Sequence, residues 1–297
     1  MQGRQHGRLV TGVILLIPLT SAFLYALAAI YLKRALSEGA GRWRVTFGCN
    51  MVMALGYQVC WVARTQGFSA SGAEHAAVAA CTFFAGQVFT FLALNRGDVS
   101  VVTPILGTKV IWVAVFSTLL MGRAHSPHVW AAVFMTAMGA AILGYQRGVH
   151  PRRVALSVGA ALATSCSFGM TDVLVQKYAP GWGFGSFIPT MFLMVGVLSL
   201  VFIPLMRDGS GWAPVWLGTG AVLLAAQALG LAFVLTKFGE ATRVNIAYNS
   251  RGLWSVVLVW VFGHWFGNTE REGGTRQMLR RLAGAGLLVA AILMASR

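Results

Sequence analysis

Apolar residues run in ten blocks along the chain, each long enough to cross the roughly 30 Å hydrocarbon core of a bilayer, which takes about 17–25 residues of helix. The blocks lie near 9–32, 45–63, 76–94, 99–121, 129–145, 154–176, 184–206, 214–235, 241–266 and 279–296. Polar connectors with turn chemistry separate them at 33–44, 64–74, 95–98, 122–128, 146–153 and 207–211. The runs are continuous instead of alternating over ten-residue strands, which sets aside a β-barrel, the other architecture that can satisfy its backbone in lipid. The fold class expected is an all-α integral membrane protein with ten transmembrane helices.

The pattern also repeats. When 97–122 is laid on 239–264, Gly97 meets Gly239, Val102 meets Val244, Trp112 meets Trp254 and Val115 meets Val257, while Asp98/Glu240, Ser100/Thr242 and Lys109/Arg251 pair in kind. Two five-helix halves follow, 1–148 and 149–297, joined by a basic connector from Arg147 to Arg153. Because five is odd, the second half enters the membrane from the opposite side. Inverted repeats of this kind place a solute site near mid-membrane, between the halves.

Composition narrows the function classes. Of 297 residues, 57% are hydrophobic and 10% charged, with a mean hydropathy of +0.70, too apolar for a water-facing globule at about 25% charged. The net charge of +15 would suggest nucleic acid in a soluble protein. Here the cations sit mostly between apolar runs, where they anchor helix ends and meet lipid headgroups. No nucleic-acid partner is expected. Cys49, Cys60, Cys81 and Cys166 fall inside apolar runs with no metal-ligand spacing and read as small buried hydrophobes. Arg4 and Arg8 precede an apolar run containing Ala26-Leu27-Ala28, a small-x-small pattern, but the run continues to Leu32 and is too long for a cleaved signal core.

The stretch Phe91-Leu-Ala-Leu-Asn-Arg-Gly-Asp-Val-Ser-Val-Val-Thr-Pro-Ile-Leu106 runs through Met121-Gly122 into Met138-Gly139-Ala140-Ala141-Ile142-Leu143-Gly144. Together with its second-half counterpart, it resembles the drug/metabolite transporter superfamily, specifically the EamA-type permeases. The resemblance implies ten helices in two inverted halves, a central cavity and solute transport across a cytoplasmic membrane; separately, no cofactor is expected. One position departs: the family often has Gly-Glu-Arg after the fourth helix, whereas Gly122-Arg123-Ala124 lacks the acid.

Charges inside the spans carry the site argument. Lys109 lies ten residues into its run, about 15 Å along a helix at 1.5 Å per residue, and Arg251 sits at the matching depth of the ninth. An intramembrane cation costs about 2.5–3.5 kcal/mol on insertion scales and cannot snorkel from mid-depth. Asp172 is the acid available for charge balance or as a proton relay. Two cations against one acid leave a positive charge for a watery cavity or an anionic solute. Sugar-phosphate and nucleotide-sugar branches of the superfamily are similar in holding anionic groups with Lys and Arg.

Helical spacing brings Asn245, Tyr248 and Ser255 to the face of Arg251, and Trp112 and Phe116 to that of Lys109, with Trp254 as the counterpart of Trp112. Gln87 and Gln227 can add hydrogen bonds from helices 3 and 8. Pro104, Pro189 and Pro204 can interrupt helices. His125 and His128 have no third ligand nearby, and His264 between Trp260 and Trp265 reads as an interfacial belt.

The reading is a secondary permease for a small organic anion or zwitterion, embedded in the lipid bilayer and compatible with a homodimer. An exporter of amino acids or lipophilic drugs, with Lys109 and Arg251 structural, stays open. A membrane-embedded enzyme lacks a clustered nucleophile, metal site or carboxylate pair. Orientation is contested. The side of the termini carries eight Lys and Arg and the other side thirteen, which favours termini outside, whereas the family resemblance implies a plasma membrane protein with cytoplasmic termini, the orientation expected here.

Overall fold

The computed structural model describes residues 2–96, 105–144, 151–207, 213–262 and 274–295. The expected boundary at 148/149, the segment containing Gly97, Asp98 and Pro104, and His264 with Trp265 lie outside the described residues, as does the side chain of Trp260. Among the described residues the chain is helical without a strand. In order come α1 (Gln2–Ser37), α2 (Arg42–Gly56), a 3₁₀ helix (Tyr57–Ala63), α3 (Ala70–Arg96), α4 (Lys109–Met121), α5 (Pro127–Gly144) and α6 (Pro151–Trp182). Then follow α7 (Phe184–Leu198), a second 3₁₀ helix (Ser199–Arg207), α8 (Pro214–Phe238), α9 (Ala241–Tyr248), α10 (Arg251–Phe262) and α11 (Gly274–Ala295).

Six described helical segments are long and apolar enough to cross a membrane: Gly12–Ser37, Arg42–Ala63, Ala70–Ala93, Leu156–Trp182, Phe184–Met206 and Pro214–Phe238. Three shorter apolar helices accompany them, Lys109–Met121, Pro127–Leu143 and Leu282–Ala295. Leu16, Val62, Phe68, Leu119 and Val215 are largely exposed on the outside, as a multi-pass protein facing lipid requires. Phe187, Ile188, Met191 and Val195 of α7 are buried and cluster with Val173, Leu174 and Val175 of α6. α5 crosses α11 where Gly139 meets Gly284, and a Cβ on either would stand about 3 Å from the other's carbonyl oxygen. Small residues let helices approach this closely in lipid.

The ninth run, expected as one helix over 241–266, is broken. α9 ends at Tyr248, Asn249 and Ser250 form a turn, and α10 starts at Arg251. The fourth run breaks likewise: Gly107 and Thr108 form a turn before α4 starts at Lys109. Local chemistry explains the fourth-run break. Glycine is a poor helix former, and Thr108 Oγ1 donates back to Ile105 O at 2.6 Å, competing with the backbone ladder. The two breaks touch. Asn249 Nδ2 donates to Gly107 O at 3.1 Å across a sequence separation of 142 residues. The same separation relates the starts of α2 and α7, their ends, the starts of the two 3₁₀ helices, and the starts of α4 and α10.

Candidate functional site

A cavity of about 400 Å³ lies among α1, α2, α3, α6, α7 and α8, with the broken helices at its side. On α1 its wall extends from Tyr25 to Leu32, and on α2 it begins at Val45, so it reaches from the middle of α1 toward the α1–α2 turn. Phe83, Phe91, Phe168 and Phe192, with Met53 and Met191, supply apolar wall. This volume and lining suit a small organic solute.

Both cations expected inside the spans line the cavity, with different partners. Lys109 Nζ stands 2.6 Å from Asp172 Oδ2, their side chains 13% and 17% exposed. Asn245 Nδ2 donates to the same oxygen at 2.7 Å. The break before α4 therefore delivers Lys109 to α6, and α9 supplies Asn245 to hold the carboxylate in place. Arg251 has no carboxylate at salt-bridge distance among the described residues. Its guanidinium instead lies over the rings of Tyr25 and Tyr248, 5.0 Å from each centroid, a cation–π arrangement, and is also hydrogen-bonded to the Tyr248 hydroxyl. Lys109 Nζ is 5.8 Å from the Tyr248 ring, so that tyrosine joins the two cations.

The other residues expected at the site divide. Gln87 and Gln227 line the cavity. Gln87 is committed to a reciprocal pair with Asn50, at 2.9 and 2.8 Å, and Asn50 also donates to Ser199 Oγ at 2.7 Å. Gln227 is buried, and its Oε1 has no hydrogen-bond partner among the described residues. Trp112 stacks on Phe116, Trp254 packs edge-on against Phe23, and Ser255 Oγ donates to Arg251 O at 2.8 Å. None of these last three is in the cavity lining. Tyr25, a hydroxyl-bearing ring in the first apolar run, carries no charge or motif that marks it in the sequence. Among the described residues no three His, Cys, Asp or Glu side chains gather to hold a metal.

Just beyond the cavity, one residue past Val175 on α6 and one turn past Leu235 on α8, the α4–α5 and α8–α9 connections meet. Arg123 Nη1 donates to Gly239 O at 2.6 Å and reaches Glu240 Oε1 at 3.3 Å. Gln176 Nε2 donates to the same Gly239 carbonyl, and Gln176 Oε1 accepts from Ala241 N at 2.9 Å. Gly239 adopts a φ of +65° at the C-terminus of α8, a left-handed conformation glycine takes without strain. The acid missing after the fourth helix is thus met by Glu240 from another connection.

His125 Nε2 lies 3.2 Å from Thr242 Oγ1 in this cluster. Burial holds its pKa below the usual value; Glu240 opposes that shift, while Arg123 and Arg243 reinforce it. The unfolded chain then takes up the proton first. The stabilisation is complete above about pH 6.5 and is lost as pH falls from there toward the depressed folded-state value. His125→Gln is expected to flatten the fall in melting temperature between pH 7 and 5 measured by scanning fluorimetry. Superimposable wild-type and variant profiles would dismiss this role.

Residues 10–145 match the model of the EamA-like transporter family, which supports an EamA-type assignment within the drug/metabolite transporter superfamily. No curated protein matches the sequence. A crystal structure of another protein is similar in fold, with a TM-score of 0.75 and 16% identity, covering 95% of this chain and 96% of that one.

Proposed function

We propose that this EamA-type chain of the drug/metabolite transporter superfamily is a secondary permease that carries a small organic anion or zwitterion through the central cavity. The observation that carries this reading is Arg251, an intramembrane cation at the cavity wall whose described neighbours are aromatic rings instead of an acid. Lys109 and Asp172 balance each other beside it. Gln227, Tyr248 and the phenylalanine wall orient the body of the solute.

The architecture belonging to this reading is ten spans in two inverted repeats, 1–148 and 149–297. The recurring 142-residue separation of element boundaries supports it. Alternating access then consists of rocking one half against the other. The Arg123–Glu240 and Gln176–Gly239 contacts close one end, and the termini lie on the cytoplasmic face of the plasma membrane.

The test is efflux from proteoliposomes loaded with a mixture of organic acids and amino acids, read by mass spectrometry. A restricted set of solutes should leave. Arg251→Met and Lys109→Met each remove one positive charge from the cavity, and each should slow anion efflux at least about tenfold while the protein stays inserted. Efflux of nothing above empty liposomes would end the permease reading. Wild-type rates in both variants would remove the cations from it.

A further inference from the structure

The charges lining the cavity do not sum to zero, and their arrangement distinguishes the two cations. Lys109 is committed to Asp172, whose Oδ2 also receives Asn245. Arg251 has no carboxylate of its own at salt-bridge distance among the described residues, and its guanidinium lies over the rings of Tyr25 and Tyr248. The Tyr248 hydroxyl accepts from the guanidinium, and the N–H donors left over can meet the oxygens of a carboxylate. From the described charged groups of the lining, Lys109, Asp172 and Arg251, the empty cavity carries one net positive charge.

We infer that the cavity selects its solute by valence: it takes a carboxylate monoanion with an apolar or aromatic body, seated on Arg251, in preference to a zwitterion or a dianion. This rests on the permease reading and names the class of solute. A monoanion brings the cavity to neutrality. A zwitterion leaves it at one positive charge, and its ammonium has to compete with Lys109 and Asn245 for Asp172. A dianion overshoots, because the second cation is already paired. Among its described residues the wall has Asp172 as its one carboxylate, so beyond that an ammonium meets neutral acceptors such as Gln227 Oε1. Gln87 is bound to Asn50, whereas Phe83, Phe91, Phe168 and Phe192 offer surface to a ring or an alkyl chain.

Three probes share a phenyl body and differ in charge: 3-phenylpropionate, phenylalanine and phenylsuccinate. Their binding to the detergent-purified protein is measured by calorimetry at pH 7.5. For the wild type, 3-phenylpropionate is expected to bind at least about tenfold more tightly than either of the others. Arg251→Gln lowers the net charge to zero and should erase the preference for the monoanion over phenylalanine. Asp172→Asn raises it to two and releases Lys109, so phenylsuccinate should overtake 3-phenylpropionate.

The wild-type series decides the matter even if both variants fail to fold. Phenylalanine or phenylsuccinate binding best to the wild type overturns the valence assignment and leaves the permease reading intact, since a solute site is still present. No binding of any probe also overturns the assignment, and the permease reading then depends on the efflux experiment alone. An Arg251→Gln protein that keeps the wild-type order of preference overturns Arg251 as the seat.

Discussion

Asp172→Asn is expected to lower the melting temperature of the purified protein by about 6–12 °C. One oxygen of Asp172 receives both Lys109 and Asn245, so neutralising it strands an ammonium among α4, α6 and α9. Breaking a buried pair by removing one partner costs about 3–5 kcal/mol. The lower end applies here, because the side chains of Lys109 and Asp172 keep 13% and 17% exposure at the cavity. A chain of this size loses about 2–4 °C per kcal/mol. Lys109→Met combined with Asp172→Asn replaces both partners by neutral groups and should recover more than half of the loss, since two neutral groups leave no stranded charge. A single variant that melts with the wild type would show that the pair contributes nothing to stability, and nanoscale fluorimetry measures both cases.

Gly185→Ala is expected to prevent accumulation of folded protein. Gly185 opens α7 where that helix closes on the first 3₁₀ segment. A Cβ there would stand 2.5 Å from the Ala63 carbonyl carbon, 2.6 Å from its oxygen and 2.6 Å from Arg64 N. All three atoms are backbone, so no rotamer change relieves the overlap. α7 must move away from residues 63 and 64, opening the packing of buried Phe187 and Ile188. Overpacking of this kind costs about 1–3 kcal/mol when side chains can yield and more when they cannot. The monodisperse peak in fluorescence-detected size exclusion should fall at least about tenfold. Gly159→Ala is the control: its Cβ meets nothing within 4 Å, and alanine favours a helix by about 1 kcal/mol. Equal peaks for Gly185→Ala and the wild type would show that the α7 contact yields without cost.

The apolar runs made the membrane-embedded, all-helical class legible, because continuous hydrophobic stretches have few other uses. The placement of Lys109, Arg251 and, less centrally, Asp172 inside apolar runs was legible for the same reason: charge in an apolar run is rare. Asp172 could be named as a partner for one cation, but a one-dimensional chain does not say which. That choice follows from the packing of α4 against α6. The breaks were harder to read. Gly107 and Asn249 are ordinary residues in sequence, and the bond joining them spans 142 residues.

Helical spacing put Ser255 on the face of Arg251, and the repeat named Trp254 as the counterpart of Trp112, yet neither spacing nor repeat says what such a face meets. With a turn at Asn249 and Ser250, the angular register also restarts between Tyr248 and α10. Tyr248 meets the cavity, while Trp254 meets Phe23. Tyr25 comes to Arg251 from α1, more than two hundred residues away in sequence, and no local pattern announces such a pairing.

The hydrogen bond from Asn249 to Gly107 has a mechanical consequence. It ties two chain breaks at one point, and in the rocking proposed above, in which one half turns against the other, a point where both bodies are pinned has no lever arm. In a rigid rotation of about 20° centred there, the ends of the spans, about 15 Å away for a 30 Å membrane core, sweep about 5 Å. Groups within 3 Å of the centre travel about 1 Å. Spin labels beside Gly107 and Asn249 should therefore keep one separation throughout the cycle, and labels in the turns at either end should report nearly all of the displacement.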